Sequence, residues 1–145
     1  MLDIMKEIIR KNDLCVLATV SDKRPHCSLM SYVSDEEVTE IYMVSQKESR
    51  KYLNLLRNPA VSLLIDTREE YRGGEGVKIK ALSVEGEYKP LNDPVKRDSV
   101  RLQILKQNPH LNDFLNDPRA EIFSIRLKSF QLLDGVKDVF FEKMG

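Results

Sequence analysis

The chain has 145 residues, with 23 Lys and Arg against 23 Asp and Glu, so its formal net charge is zero. That balance argues against a general nucleic-acid binder, which needs excess cations to displace counterions, but leaves room for one small basic pocket. The length suits a single domain that buries about two-thirds of its unfolded surface, and no apolar run is long enough to span a bilayer.

The first segment, MLDIMKEIIRKND, is too charged and its apolar stretch too short for a signal peptide. It reads as an amphipathic helix with Leu2, Met5, Ile8 and Ile9 on one side. LCVLATVS, from Leu14 to Ser21, is a continuous apolar run of strand length. Asp22 to Pro25 make a turn, and His26 to Val33 alternate as a second strand, followed by an acidic turn. Ile41 to Ser45 give a third strand. A helix from about Arg50 to Arg57 stops before Asn58-Pro59, because a residue preceding Pro avoids the helical region. Ala60 to Ile65 is a fourth strand.

Asp66 to Gly76 carries Gly73, Gly74 and Gly76 and reads as a mobile loop. Val77 to Tyr88 is a long strand with a bulge at Gly86. Asp93-Pro94 starts a helix that runs to about Gln107, and Leu111, Phe114 and Leu115 mark a short helix ending at Pro118. Phe123, Ile125 and Leu127 alternate with polar residues as a strand. Asp134-Gly135 then turns Leu132-Leu133 into a hairpin with Val136 to Phe141. About seven strands in runs, with three or four helices, predict a mainly β α+β domain. Its antiparallel sheet closes into a barrel with helices at the ends.

Chemistry-bearing residues are few. Cys15 and Cys27 lie in apolar or extended stretches and read as buried free thiols, which makes a cytoplasmic setting the default. His26 follows Pro25 at a strand start, where a proton donor or a hydrogen-bonded strand histidine are the two readings. His110 reads as structural. His26 and Cys27 are adjacent on a strand, point to opposite faces and do not share a metal. The glycines from Gly73 to Gly76 lack the strand–loop–helix setting of a phosphate cradle and read as a connector. No nucleophile–base–orienter set is visible.

The segment SQKESRKYLNLLRNPAVSLLID, from Ser45 to Asp66, breaks a local rule. The first turn of a helix presents unpaired N–H groups and the positive end of the macrodipole, so it favours Asp or Glu. Here Ser49 is placed as N-cap and the neighbouring charges are Lys47, Arg50 and Lys51. Two explanations stand: an anion such as phosphate, or a solvated basic turn.

The order of these pieces resembles the FMN-binding split-barrel family typified by pyridoxamine 5'-phosphate oxidase. The pieces are Leu17-Ala18-Thr19, the turn into Pro25-His26, a strand ending near Ser45, Ser49-Arg50-Lys51, and NPAVSLLID. The similarity runs from about Leu14 to Tyr88. It implies a split β-barrel of six to seven mostly antiparallel strands, paired as a homodimer with FMN at the subunit interface. Ser49, Arg50 and Lys51 match the phosphate-binding motif. Val44 and Ser45 would lie along the flavin, and Ser28, Leu29, Met30 and Ser31 would run beside its ring. Tyr32, Tyr42, Phe140 and Phe141, large apolar residues in edge strands, suit the pairing.

Two departures narrow the implied activity. Ser28 and Val33 stand where that family carries a basic residue on the second strand. The terminal QLLDGVKDVFFEKMG has no Arg and no His, so the element that handles the pyridoxine substrate is missing. The expectation is a flavin-dependent oxidoreductase that is not a true pyridoxamine phosphate oxidase. Its rivals are a non-enzymatic electron carrier or sensor, or the same barrel holding haem or a deazaflavin. The substrate walls fall to Asp66–Gly76 and Asn108–Pro118.

Overall fold

The computed structural model describes residues 1–67, 80–135 and 137–145. Helix α1 (Leu2–Lys11) buries Met5, Ile8 and Ile9, and Leu2 packs on the same core. Strands β1 (Leu14–Ser21) and β2 (Arg24–Ser31) form an antiparallel hairpin. Its two turn residues, Asp22 and Lys23, sit at φ 52° and 62°. Positive φ at both positions marks a type I′ turn, whose twist matches that of the flanking strands, and Asp tolerates that conformation better than most residues.

Short strand β3 (Val33–Ser34) leads to β4 (Glu40–Gln46). Between them the Asp35 carboxylate accepts hydrogen bonds from the Thr39 and Glu40 amides at 2.8 and 3.0 Å. This holds Val38 at φ 55° with its side chain fully buried. Helix α2 (Arg50–Arg57) and β5 (Ala60–Asp66) come next. They are followed by β6 (Lys80–Pro90), α3 (Pro94–Gln107), a 3₁₀ turn (Pro109–Leu111) and α4 (Asn112–Asn116). The chain closes with β7 (Ala120–Asp134) and β8 (Asp138–Lys143).

The strands make one curled antiparallel sheet in the order β2-β1-β5-β6-β7-β4-β3, with β8 also on β7. β4 covers the first half of one β7 edge and β8 the second half. The two ends of the sheet, β2 and β3, are consecutive in the chain, so the sheet curls into a barrel split between β2 and β4. The main core fills the barrel around Leu17, Leu82, Phe123, Phe130 and Leu132. A second cluster, with Val33, Tyr42, Val100, Ile104 and Ile122, seats α3 on β3 and β4.

The mainly β α+β prediction therefore matches the fold, and β1 and α2 have the predicted bounds. The predicted second strand is two strands, because at Tyr32 the partner changes from β1 to β4. The Tyr32 amide donates to the Asp13 carbonyl, and its hydroxyl donates to the Ile9 carbonyl at 2.7 Å. The loop at 68–76, the start of the predicted strand at 77–79 and Val136 lie outside the described residues. No helix among the described residues is long and apolar enough to cross a membrane. Cys15 is buried, but Cys27 pairs with Ala18 on the outer face of the hairpin and is exposed, contrary to the expectation of two buried thiols. Alternation decides this: Leu17 and Thr19 fill the core, so Ala18 and its partner face out.

The predicted bulge is where the β6–β7 register shifts, between Glu85 and Gly86. A Cβ on Gly86 would stand 2.7 Å from Ile125 Cγ2 and 2.9 Å from the Arg126 carbonyl oxygen. The backbone oxygen cannot swing away as a side chain can. Gly86→Ala should therefore destabilise the fold by about 2 kcal/mol or more, read as a lower urea midpoint at unchanged slope.

Candidate functional site

The site begins at the turn between β4 and α2. Ser49 is the N-cap: its hydroxyl accepts from the Tyr52 amide at 3.3 Å and donates to the Gln46 carbonyl at 2.8 Å. The buried Ser45 hydroxyl lies 2.9 Å from it. These two serines thus use their hydroxyls to fix the turn. Tyr52, Asn54 and Leu55 then pin α2 to the barrel, with the Asn54 amide donating to Thr19 at 3.1 Å and the Tyr52 hydroxyl 3.0 Å from that of Tyr88.

With those positions buried, Arg50 and Lys51 are left at the start of the helix, which has no acidic residue in its first turn. Lys47 has a partner, Glu121, at 3.7 Å, and Glu121 also accepts from Arg97 at 2.6 Å. Arg50 and Lys51 have no ion-pair partner among the described residues. Two adjacent cations, the helix dipole and free N–H groups are therefore gathered at this helix start, an arrangement that favours an anion.

A cleft of about 230 Å³ opens at the split of the barrel. Leu29, Met30 and Ser31 of β2 form one wall and Val44 of β4 the opposite one, with Lys51 at the margin and Phe114 among the helical side chains. β2 pairs only with β1, so its other edge carries no strand among the described residues. β3 covers β4 only at Ile41 and Tyr42. The backbone groups of both strands are thus free to meet a ligand along the split.

Of the residues singled out in sequence, Leu29, Met30, Ser31, Val44 and Lys51 line this cleft together. Arg50 faces a different cleft, beside Arg24 and His26, because successive helical residues point about 100° apart. Ser28 shares the inner face of β2 with Met30 and His26 and lines neither cleft. Of the expected substrate walls, the Asn108–Pro118 segment does reach the cleft, through Asn108, Leu111 and Phe114. Sequence reasoning missed Tyr42, Ile104 and Arg24 as lining residues. Tyr32 and Tyr42 are 2% and 4% exposed, buried in this chain's own core rather than held out for a partner.

Behind the cleft a polar network fixes the β4 wall. Glu40 accepts from Tyr42 at 2.6 Å, Lys96 at 2.5 Å and Ser124 at 2.8 Å. Burial pushes the Glu40 carboxyl up, but these hydrogen bonds and the Lys96 charge outweigh it and hold it below the usual carboxylate value. Burial and the bond to Glu40 push the Tyr42 phenol well above its ordinary range, so it stays a neutral donor. Burial pushes the Cys15 thiol up to about 12, which makes it inert.

The curled sheet and its split define a split-barrel protein. Residues 1–132 match the family described as pyridoxamine 5'-phosphate oxidase, and the chain belongs to that family. No curated protein matches the chain in sequence. Among solved structures, an FAD-binding protein from Mesorhizobium loti superposes with a TM-score of 0.74 at 19% identity, over 93% of this chain and 95% of that one. The haem storage protein HutZ from Vibrio cholerae gives 0.68 at 20% identity, over 95% and 92%. A haem-binding protein from Mycobacterium smegmatis gives 0.81 at 12% identity, covering 96% of this chain, which spans only 57% of the relative. At such identities these likenesses establish the fold.

Glu40 predicts an acid dependence. Its folded pKa is depressed, so its contribution to stability is complete above the unfolded carboxylate value of about 4.3 and is lost as pH falls through the lower folded value. Urea denaturation across this range should show stability falling with acid. Glu40→Gln should flatten that fall and lower stability at neutral pH.

Proposed function

We propose that this protein binds FMN at the split of its barrel, as the cofactor of a flavin-dependent oxidoreductase, and that it does so as a homodimer with the flavin at the subunit boundary. The observation that carries the reading is the pair Arg50 and Lys51, without ion-pair partners among the described residues, at the first turn of α2, with Lys51 at the margin of the cleft and Arg50 on the adjoining side toward Arg24 and His26. They would hold the phosphate. Ser45 and Ser49 would position them through the hydrogen-bonded turn. The free edge of β2 at Ser28, Leu29, Met30 and Ser31 would offer backbone groups to the polar rim of the ring, with Val44 against it. The flavin supplies hydride or electron transfer; the chain's part is to bind it, orient it and keep water from it.

Three features favour a shared site. The cleft is smaller than the roughly 300–1,000 Å³ usual for a small-molecule pocket, so further walls are needed. Leu29 lines the cleft yet is 71% exposed. It also stands in register with Val16 and Leu64 across β2, β1 and β5, so the cleft opens onto an apolar outer face of the sheet. Such a face marks an interaction surface. Phe140 and Phe141 on β8 add exposed aromatic surface, as expected from the sequence.

The absorption spectrum of the purified protein, with the mass of the cofactor released by heat, tests the reading. A flavin spectrum with the mass of FMN supports it, and a Soret band would instead assign haem. Replacing Arg50 and Lys51 by Ala should weaken FMN by two decades or more, since a charge-assisted contact contributes about 1.5–3 kcal/mol. Riboflavin, which has no phosphate, should bind both forms alike. Equal FMN affinity in both forms would refute the phosphate assignment. No pyridoxamine phosphate turnover is expected.

The dimer gives a second prediction. Light scattering should report twice the 16.8 kDa chain mass. Leu29→Glu should leave the fold intact, because the side chain is exposed, while shifting the protein to monomer and weakening FMN together. A folded monomer that binds FMN fully would show that one chain makes the whole site.

A further inference from the structure

Arg50 turns away from the split of the barrel, and the surface it joins is a second cleft, of about 450 Å³. That size lies within the range usual for a small-molecule pocket. Arg24 and Pro25 of β2 line one side, and Arg50, Leu53, Asn54 and Arg57 of α2 the other. The α2 residues fall at i, i+3, i+4 and i+7, one face of the helix. None of the residues lining this cleft lines the first.

In a chain whose formal net charge is zero, three guanidiniums here face one carboxylate, that of Asp22. Asp22 lies 3.6 Å from Arg57, but the two side chains are 86% and 71% exposed, so the pair contributes little. Arg57 sits in the last turn of α2, where the helix dipole accounts for a cation. Arg24 and Arg50 have no such account and no acidic partner among the described residues. Like charges gathered in one concavity repel one another, and an anionic guest removes that cost. The cleft also holds a buried polar group. Asn54 is 6% exposed, and its side-chain amide donates to Thr19 at 3.1 Å. An amide carries two N–H donors, and this is the one hydrogen bond of the Asn54 side chain among the described residues, so a donor is left over in a residue that lines the cleft.

A single carboxylate occupies one guanidinium fork, whereas the terminal oxygens and double charge of a phosphate monoester can engage two forks and an amide together. Leu53, 48% exposed, and Pro25 add apolar surface for an organic group. We propose that this cleft is a second ligand site, separate from the barrel split, that takes a small phosphate ester, with Arg24 and Arg57 on the phosphate and Leu53 against the organic part. The site does not depend on the flavin reading, because its own cations, Arg24 and Arg57, are not those assigned to FMN. Inorganic phosphate offers the same oxyanion without the organic group, so the two sources can be told apart.

The test is calorimetric titration of phenyl phosphate and inorganic phosphate into the parent, the Arg24→Ala, Arg57→Ala double variant and Leu53→Ser, each without FMN and with FMN added to excess. The three side chains are exposed, so the variants should fold, as circular dichroism would check. Arg24→Gln, which keeps much of the side chain's size and polarity, gives the same readout in milder form. The parent should bind phenyl phosphate about fivefold tighter than inorganic phosphate, from the apolar contact. The double variant should lose about tenfold or more for both ligands, as expected for charge-assisted contacts. Leu53→Ser should abolish the preference and leave inorganic phosphate within about twofold. Added FMN should leave phenyl phosphate bound. Binding that ignores the loss of Arg24 and Arg57 would overturn the proposal. So would exclusion of phenyl phosphate by FMN, for then the cleft is the phosphate end of the flavin site. If inorganic phosphate binds as tightly as the ester and Leu53→Ser changes nothing, the ester assignment is wrong. Arginine-dependent binding of phenyl phosphate in a protein that binds no flavin would refute the flavin reading and leave this site standing.

Discussion

The backbone and hydroxyl of Tyr32 hold the architecture open. The residue lies between β2 and β3, and each of its polar groups is engaged by a different element. The amide donates to Asp13, at the end of the α1–β1 connection. The hydroxyl reaches the Ile9 carbonyl in α1, and the carbonyl accepts from Gln107 at the end of α3 at 3.0 Å. A buried polar group must be paired, and here the amide still follows the β1 register while the carbonyl is claimed by Gln107, so the β1–β2 ladder ends at this residue. If the strand ran straight through, β2 and β3 would continue as one edge. Because it does not, β3 joins β4 while β2 stays with β1, and the barrel is split where a ligand can enter. The constraint also draws α1 and α3 toward the same point, so the helices that cap the barrel meet the strands that open it at one residue.

The second determinant is the turn from β4 into α2. The β4–β7 register runs unbroken from Glu40 to Gln46, so the end of β4 is fixed by seven paired positions. Ser45 and Ser49 then convert that rigid end into a helix start through their hydroxyls, and the Ser49 amide adds a bond to the Gln46 carbonyl at 3.1 Å. Tyr52 closes the unit from below: it contacts Tyr88 and Phe123, with ring centroids 6.0 and 5.9 Å away. The cations at the helix start therefore stand on a short turn tied to the sheet at one end and to the core at the other. A binding group placed this way loses little freedom on meeting its ligand.

Much of this was legible in the sequence because it is local. The bounds of β1 and α2 follow from an apolar run and from a cap, a period and a proline. The bulge at Gly86 follows from one glycine in a strand. What was not legible depends on residues far apart in the chain. Nothing near Tyr32 announces that Ile9 and Gln107 claim its polar groups, so the local pattern predicts one continuous second strand. Tyr32 and Tyr42 look like edge aromatics until α1 and α3 cover them. The site was legible in part: Lys51, Val44 and three residues of β2 do meet in one cleft. That Arg50 turns away from Lys51 toward Arg24 and His26 requires knowing which face of α2 is buried, and this rests on Asn54 meeting Thr19 across 35 positions of chain.

A cation in the first helical turn costs about 0.3–1 kcal/mol against the dipole, so a chain selected for helix stability alone would place Glu there. Where the cost can be relieved internally, the fold relieves it: Lys47 faces Glu121, and Glu121 is held in turn by Arg97. No such relief is given to Arg50 or Lys51 among the described residues, although this chain is 32% charged and has acids to spare. The remaining contacts of α2 are consistent with the fold at every level, from the Ser49 cap to the buried Tyr52, Asn54 and Leu55. A local rule broken at one point, in an element that obeys the others, is where function is to be sought. An anion drawn to that point reverses the sign of the penalty, since the same dipole and the same two cations then become its binding energy.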